Sequence, residues 1–281
     1  MKKLAIVTDS TPCLSPELIA QNDIHIIPLK LQWENQTYLD GIDITPTEFY
    51  RRLEKAKSLP TTSQPSPQEF LGLFEQLAPQ YDGILVLLIS SGISGTVGSA
   101  QSAAAEFDQL PIQIIDTRIT AGAQAMVVLK AARAAAEGAS LEAAADIARR
   151  AIENMHVFFT VDTLEYLHKG GRIGGASRYL GTMLDIKPVL FLNPEGKIDA
   201  LERVRTRRKA LERLVELVVM NSANKPAHLS VFHAAALQAA QEVLERTTIQ
   251  MNCQDSLLLD LSPVIGSHVG PGTIGVAVYT E

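Results

Sequence analysis

The segment "ILVLLISSGISGTVGSA", residues 84–100, joins an apolar run to a loop of serines and glycines and then to a tract of small residues. The apolar run has the length and branched side chains of a buried strand, and the tract after it favours a helix. A strand that passes through a polar loop into a helix is the unit of parallel α/β sheets. The segment therefore predicts an α/β fold with a hydroxyl-rich loop after one strand.

Similar apolar runs alternate with amphipathic stretches at 4–7, 24–31 and 112–115, which indicates a mostly parallel sheet. Three helix starts are predicted where a hydroxyl residue precedes proline: Ser15-Pro16, Thr45-Pro46 and Ser66-Pro67. After about residue 155 the strand-like runs are grouped differently. We therefore predict an N-terminal α/β domain over 1–155 and a smaller C-terminal α+β domain over 156–281.

Composition restricts the classes of function. The chain has 281 residues, 46% of them hydrophobic, and a formal net charge of −6, which argues against nucleic acid as a partner. Its two cysteines, Cys13 and Cys253, form no metal-binding pattern and no disulfide framework. Neither a signal peptide nor a membrane-spanning segment is predicted. We expect a cytoplasmic protein with no metal site and no stable membrane insertion.

Familiar catalytic motifs are incomplete. "GPGTIG", residues 270–275, matches a dinucleotide-binding pattern but leads into a strand-like run instead of a helix. No phosphate-binding loop with a GK[ST] ending is present. "GISGT", residues 92–96, lacks the second glycine of a hydrolase nucleophile elbow, because Thr96 takes that place.

Two hydroxyl-dense loops remain. "SSGISGT", residues 90–96, has glycines that let the backbone approach a ligand, and "LPTTSQPS", residues 59–66, is an extended segment held between two prolines. Together they favour a carboxylate or phosphate site built from neutral donors. The alternatives are an ordinary glycine- and serine-rich turn and an irregular linker that ends at the N-cap Ser66.

The sequence resembles the DegV family through an ordered series of motifs that runs from the first strand to the last. The motifs are "VTDST" (7–11), "DGIDITPTEFY" (40–50), "PTTSQPSPQEF" (60–70), "ISSGISGTVGSA" (89–100), "VDTLEYLHKGGRIGG" (161–175), "DIKPVL" (185–190), "RVRTRRKAL" (203–211) and "PVIGSHVGPGTIGVA" (263–277).

The resemblance implies a two-domain α/β protein that binds a long-chain fatty acid between its domains. It further implies that the protein is not itself an enzyme but the fatty-acid-binding subunit of a bacterial fatty acid kinase. The partner, similar to dihydroxyacetone kinase, would supply ATP and Mg²⁺ and convert the carboxylate to an acyl phosphate for phospholipid synthesis. The chain would need no cofactor of its own. The resemblance also allows transient contact with a membrane surface.

Transferred position by position, the resemblance places the carboxylate contacts on Thr62, Ser63 and Ser94. It places Arg172, Arg205 and His268 near the ligand head group or on the surface that faces the kinase.

Asp9 and Ser10 follow the first strand, where open α/β sheets bind ligands. For these two residues we favour a scaffold role, in which they hold the "TTSQ" loop in place.

Other interpretations stay open for several of these residues. Arg172 also suits a solvated loop, Arg205 the exposed face of a basic helix, and His268 a turn. Phe159 is interpreted as ordinary core. Two rival functions are a stand-alone hydrolase or small-molecule kinase that uses Ser94 and His268, and a lipid-responsive regulatory sensor.

Overall fold

A computed structural model describes residues 3–182 and 186–280. Asp185 of the "DIKPVL" motif therefore lies outside the described residues. The strands in chain order are β1 (Leu4–Asp9), β2 (Ile24–Ile27), β3 (Lys30–Trp33), β4 (Gln36–Leu39), β5 (Thr61–Ser63), β6 (Gly83–Leu88), β7 (Ile112–Asp116), β8 (Met155–Thr160), β9 (Lys187–Leu192), β10 (Ile198–Val204), β11 (Ala227–His233), β12 (Cys253–Asp260) and β13 (Ile274–Thr280).

The helices are α1 (Pro16–Gln21), α2 (Pro46–Leu53), α3 (Pro67–Leu77), α4 (Thr96–Ala105), α5 (Ala121–Ala136), α6 (Leu141–Glu153), α7 (Glu165–Lys169), α8 (Arg207–Ser222), α9 (Leu237–Gln250) and α10 (Pro263–Val269), and a 3-10 helix covers Gly174–Thr182. The three predicted helix starts are confirmed. Ser15, Thr45 and Ser66 are N-caps whose side chains accept backbone hydrogen bonds, and Ser66 forms a capping box with Glu69.

The first sheet has the strand order β2-β1-β6-β7, and every pair in it is parallel. All six residues of β6 are buried, which explains why its sequence is continuously apolar. The carboxyl ends of these strands lie at one edge of the sheet. The loop of residues 90–96 therefore leaves β6 at the edge where open α/β sheets bind ligands.

The second sheet has the order β10-β9-β8-β13-β11-β12. Only β11 and β12 pair in parallel, whereas the other neighbours are antiparallel. The predicted fold class, a mostly parallel α/β unit followed by a unit with a differently built sheet, is confirmed. The domain limits of 1–155 and 156–281 stay a prediction; β8, the first strand of the second sheet, begins at Met155.

Helix α5 lies between the two sheets and contacts β1 on one side and β11 and β13 on the other. Its residues are buried on nearly all faces, including Ala123, Val127 and Ala131. Small side chains allow both sheets to approach the helix closely. As a result, one apolar cluster extends from Ile6 of β1 through α5 to Ala277 of β13.

A small antiparallel sheet of order β4-β3-β5 positions the second predicted loop. The apolar run at 24–31 is not one strand, because Pro28 interrupts it and β3 leaves the parallel sheet. Leu31 pairs with Thr62, and Lys30 pairs with Ser63. Residues Thr61–Ser63 of the "TTSQ" segment thus form a short strand with a ladder partner, which fixes the direction of the segment.

Candidate functional site

A cavity of about 320 Å³ lies where the loops after β5 and β6 meet the second sheet and α10. Its volume is in the range of small-molecule sites, roughly 300–1,000 Å³. Most of its wall is apolar and includes Val157 and Phe159 of β8, Phe232 of β11 and Ile265 of α10. Phe159, interpreted from the sequence as ordinary core, belongs both to the core cluster and to this wall.

The structure brings most of the predicted polar residues to the same cavity. The lining includes all three of the predicted carboxylate contacts and two of the three predicted head-group residues: Thr62, Ser63, Ser94, Arg172 and His268. Arg205 is exposed, follows the last residue of β10, and is not among the residues that line the cavity. The roles assigned to these residues stay predictions, but their proximity follows from the fold.

Ser94 is held at the amino end of α4. Its amide donates to Ser90 O at 3.1 Å, and its hydroxyl lies 2.8 Å from Thr96 Oγ1. Gln64, which the sequence did not single out as a site residue, joins the two loops by donating from Nε2 to Gly95 O and Ser99 Oγ. The sequence signal that could have identified Gln64 as a site residue is its position next to the hydroxyl residues of "TTSQ".

His268 and Thr62 form a hydrogen bond of 2.8 Å between Nε2 and Oγ1 although they are 206 positions apart. Burial, followed by the charge of Arg172, lowers the pKa of His268 to about 4. The ring is therefore neutral near pH 7. Its Nδ1 is buried without a hydrogen-bond partner among the described residues.

We assign the proton of this neutral ring to Nε2. A proton on Nδ1 would leave a buried N–H donor without an acceptor, and this costs more free energy than leaving an unprotonated Nδ1 without a donor. In this tautomer Nε2 donates to Thr62 Oγ1. The Thr62 hydroxyl then directs its own proton elsewhere, toward an acceptor in the cavity.

Arg172 is held by backbone carbonyls. Its Nε donates to Ile93 O at 3.1 Å, and its Nη1 donates to Gly170 O at 2.8 Å. Within residues 3–182 and 186–280 it forms no ion pair with a carboxylate. Its positive charge therefore stays available to an anion at the polar end of the cavity.

Asp9 and Ser10 lie behind the cavity wall and are buried. Asp9 Oδ2 accepts from the amide of Ile89 at 2.7 Å, and Oδ1 accepts from the amide and hydroxyl of Thr11. Ser10 Oγ accepts from the amide of Leu29 and donates to Asp40 Oδ2. These hydrogen bonds support a scaffold role in which Asp9 holds the segment at Ile89 and Ser10 holds the segment at Leu29. The scaffold role itself stays a prediction.

Asp40 joins the small sheet to α10, because its Oδ1 accepts from the amide of Val264 at 3.0 Å. Burial raises the pKa of Asp40 to about 6. Its proton affinity thus changes on folding in the opposite direction from that of His268.

We expect these two groups to give opposite pH dependences of stability. Folding lowers the pKa of His268, so the contribution of this residue to the free energy of unfolding is lost as pH falls from about 6.5 toward 4. Folding raises the pKa of Asp40, so the contribution of that residue is lost as pH rises from about 4 through 6. Each effect is at most about 3 kcal/mol. Urea unfolding between pH 4 and 7 measures both.

Between those pH values, His268→Gln should make the free energy of unfolding rise less steeply with pH, and Asp40→Asn should make it rise more steeply. A change of the same sign in both variants would contradict the assignment.

The described hydrogen bonds join Ser94 to Thr96 and His268 to Thr62, not Ser94 to His268. This pairing disfavours a nucleophile and base made from Ser94 and His268. Over the described ranges, no group of three or more His, Cys, Asp or Glu side chains is arranged to hold a metal ion. None of the helices in that part of the chain is long and apolar enough to cross a membrane.

Comparisons with known proteins agree with this architecture. Protein DegV of Bacillus subtilis is 34% identical over 277 residues, which cover 97% of this chain and 98% of that protein. A DegV family protein of Thermus thermophilus, solved in a study of its fatty acid binding, superimposes with a TM-score of 0.94 at 35% identity, covering 99% of this chain and all of that one.

DegV from Bacillus subtilis, described as a fatty acid binding protein, has a TM-score of 0.89 at 31% identity, with complete coverage of both chains. A stearic acid-binding protein of Eubacterium ventriosum has a TM-score of 0.87 at 27% identity, covering 100% of this chain and 98% of that one. Residues 3–281 match the family model described as "Uncharacterised protein, DegV family". The resemblance seen in the motifs is therefore confirmed, and the chain belongs to the DegV family.

Proposed function

We propose that this protein binds a long-chain fatty acid in the cavity and presents its carboxylate to an ATP-dependent partner kinase. The observation that carries the proposal is an apolar cavity whose polar end is formed by hydroxyls, a neutral histidine and an arginine, and among the described residues that line it none is acidic. The fatty-acid-binding relatives with the same fold support the ligand class.

The apolar wall would supply most of the affinity. Each buried methylene contributes about 0.8 kcal/mol, so a sixteen-carbon chain offers on the order of 10 kcal/mol before the costs of association. The head group then needs orientation more than attraction.

The polar end of the cavity suits that task. Thr62, Ser63 and Ser94 carry hydroxyl donors, and the tautomer assigned to His268 leaves the Thr62 proton free for a carboxylate oxygen. Neutral donors hold a carboxylate without forming a tight ion pair around both of its oxygens. One oxygen stays open to an incoming phosphorus atom.

In the transfer step, a carboxylate oxygen would form a bond to the γ-phosphorus of ATP held by the partner. The bond between that phosphorus and the bridging oxygen of the departing ADP would break. No proton has to be removed, because the carboxylate is already ionised. The chain's own part is to position the nucleophile and to place the charge of Arg172 nearby, as phosphoryl transfer requires.

Native mass spectrometry tests the ligand class. Protein purified from cells should retain a mass that matches a free fatty acid, and delipidated protein should take up added palmitate in a one-to-one ratio. If delipidated protein does not bind palmitate, the proposal fails. The predicted cytoplasmic location, the kinase partner and transient contact with a membrane surface stay predictions.

Ser94→Ala should weaken palmitate affinity less than about threefold, because the tail supplies most of the affinity. It should slow acyl phosphate formation with the kinase of the same organism by about 10-fold or more, since the carboxylate loses an orienting donor. Ser102→Ala, on the exposed face of α4, is the matched control. Unchanged acyl phosphate formation in Ser94→Ala would remove Ser94 from the site.

A further inference from the structure

A second cavity, of about 410 Å³, adjoins the first, and the two share Ser94 and Arg172 in their walls. Unlike the first cavity, it is lined mainly by glycines and polar residues. The glycines come from the loop after β6 and from the segment after α7, and the additional charged residue is Lys197. No part of the fatty acid function described above uses Lys197.

Lys197 reaches this cavity because the β9–β10 hairpin folds onto the loops after β6 and β7. Ser90 Oγ donates to Gly196 O at 2.7 Å, and Arg118 Nη1 donates to Pro194 O at 3.1 Å. The turn itself is closed by hydrogen bonds to Asn193, one from the amide of Gly196 and one from the amide of Lys197. The second sheet thereby supplies a lysine to a loop of the first sheet.

The packing between this hairpin and the loop depends on the absence of a side chain at Gly92. A Cβ atom at that position would lie 2.6 Å from Glu195 O and 2.7 Å from Gly196 O. Contacts this short do not occur for real Cβ atoms, so the hairpin would have to move away. The glycine at position 92 therefore allows the hairpin to lie close to the loop after β6.

Among the described residues that line the second cavity, the charged ones are Arg172 and Lys197, and both are cations. In the part of the chain that the structure describes, neither cation is paired with a carboxylate. Glycine backbone on two sides lets amide groups approach a bound anion closely.

We propose that this second cavity binds the phosphoryl group of an acyl phosphate whose acyl chain lies in the first cavity, with Lys197 and Arg172 as its cationic contacts. The inference rests on the proposed function, because the two cavities meet at the residues that would hold the carboxylate. An acyl phosphate carries more negative charge than a fatty acid. Two cations that line the same cavity as Ser94 therefore favour the phosphorylated lipid over its precursor.

Titration calorimetry without any kinase tests this inference. The probe is the β-ketophosphonate analogue of palmitoyl phosphate, in which a methylene group replaces the bridging oxygen and prevents hydrolysis. Lys197→Gln should weaken binding of this analogue by roughly 10-fold, the value of one charge-assisted hydrogen bond, and should leave palmitate affinity within about twofold. Lys225→Gln, at an exposed lysine outside both cavities, should change neither affinity.

The outcomes separate this inference from the proposed function. Wild-type protein that fails to bind palmitate would overturn the proposed function itself. If wild-type protein binds palmitate, two results for Lys197→Gln would overturn only the phosphoryl site. One is an unchanged affinity for the phosphonate, and the other is an equal loss of affinity for the phosphonate and for palmitate. Inorganic phosphate added to palmitate-loaded protein distinguishes the source of the group. Binding of free phosphate as tight as that of the analogue would overturn the acyl phosphate assignment.

Discussion

Val157→Trp should lower the affinity for palmitate by at least about 100-fold. Val157 lies on β8, is buried, and presents its side chain to the apolar cavity. An indole ring there would take the space of several methylene groups. At about 0.8 kcal/mol for each methylene, the loss of four corresponds to roughly 3 kcal/mol, or more than 100-fold in Kd.

The measurement is calorimetric titration of delipidated protein with palmitate, accompanied by circular dichroism to verify the fold. Val157→Ile, which adds a single methylene, is the matched control and should bind within a few-fold of wild type. Ile265→Phe narrows the same cavity from α10 and provides an independent variant. If Val157→Trp folds and still binds palmitate normally, the acyl chain does not occupy this cavity.

Asp9→Ala should lower the free energy of unfolding by about 3–5 kcal/mol, because several buried donors would lose their acceptor at roughly 1–3 kcal/mol each. Asp9 is fully buried, and burial raises its pKa although its hydrogen bonds oppose the rise. Its carboxylate accepts from Ile89, Thr11 and Gln124. Alanine would leave these donors buried and unsatisfied, which explains the size of the effect.

Urea unfolding at pH 7 measures this change. Asp108→Ala, at an exposed aspartate, should alter stability by less than about 0.5 kcal/mol and serves as the control. Because Ile89 leads directly into the loop that carries Ser94, we also expect folded Asp9→Ala protein to support less acyl phosphate formation by the proposed kinase partner. A loss of stability below 1 kcal/mol would show that Asp9 is not the scaffold predicted for it.

Local sequence signals predicted much of the fold. Residues such as Ser66 and Pro67 act within one helical turn, so their effect can be read without knowing the tertiary structure. The continuous burial of β6 likewise follows from its apolar run. Burial of both sides of α5 does not follow from its sequence, because alanine gives no strong apolar stripe.

The site was predictable only where its residues lie in hydroxyl-rich loops. The Thr62–His268 contact joins positions 206 apart, and no local pattern reports such a pairing. Strand β5 has three residues and depends on its partner β3, so propensity alone would not identify it. Lys197 reaches its cavity through a hairpin that docks on the other sheet, which a reading along the chain does not reveal.

The continuity of the core through α5 has a mechanical consequence. Residues such as Phe159, Phe232 and Ile265 belong both to the central apolar cluster and to the cavity wall, so the cavity is a void that borders the main core. Unfolding eliminates such a void and reduces the volume of the system, which hydrostatic pressure favours. Compression should therefore unfold the empty protein more readily than one whose void is filled by an alkyl chain.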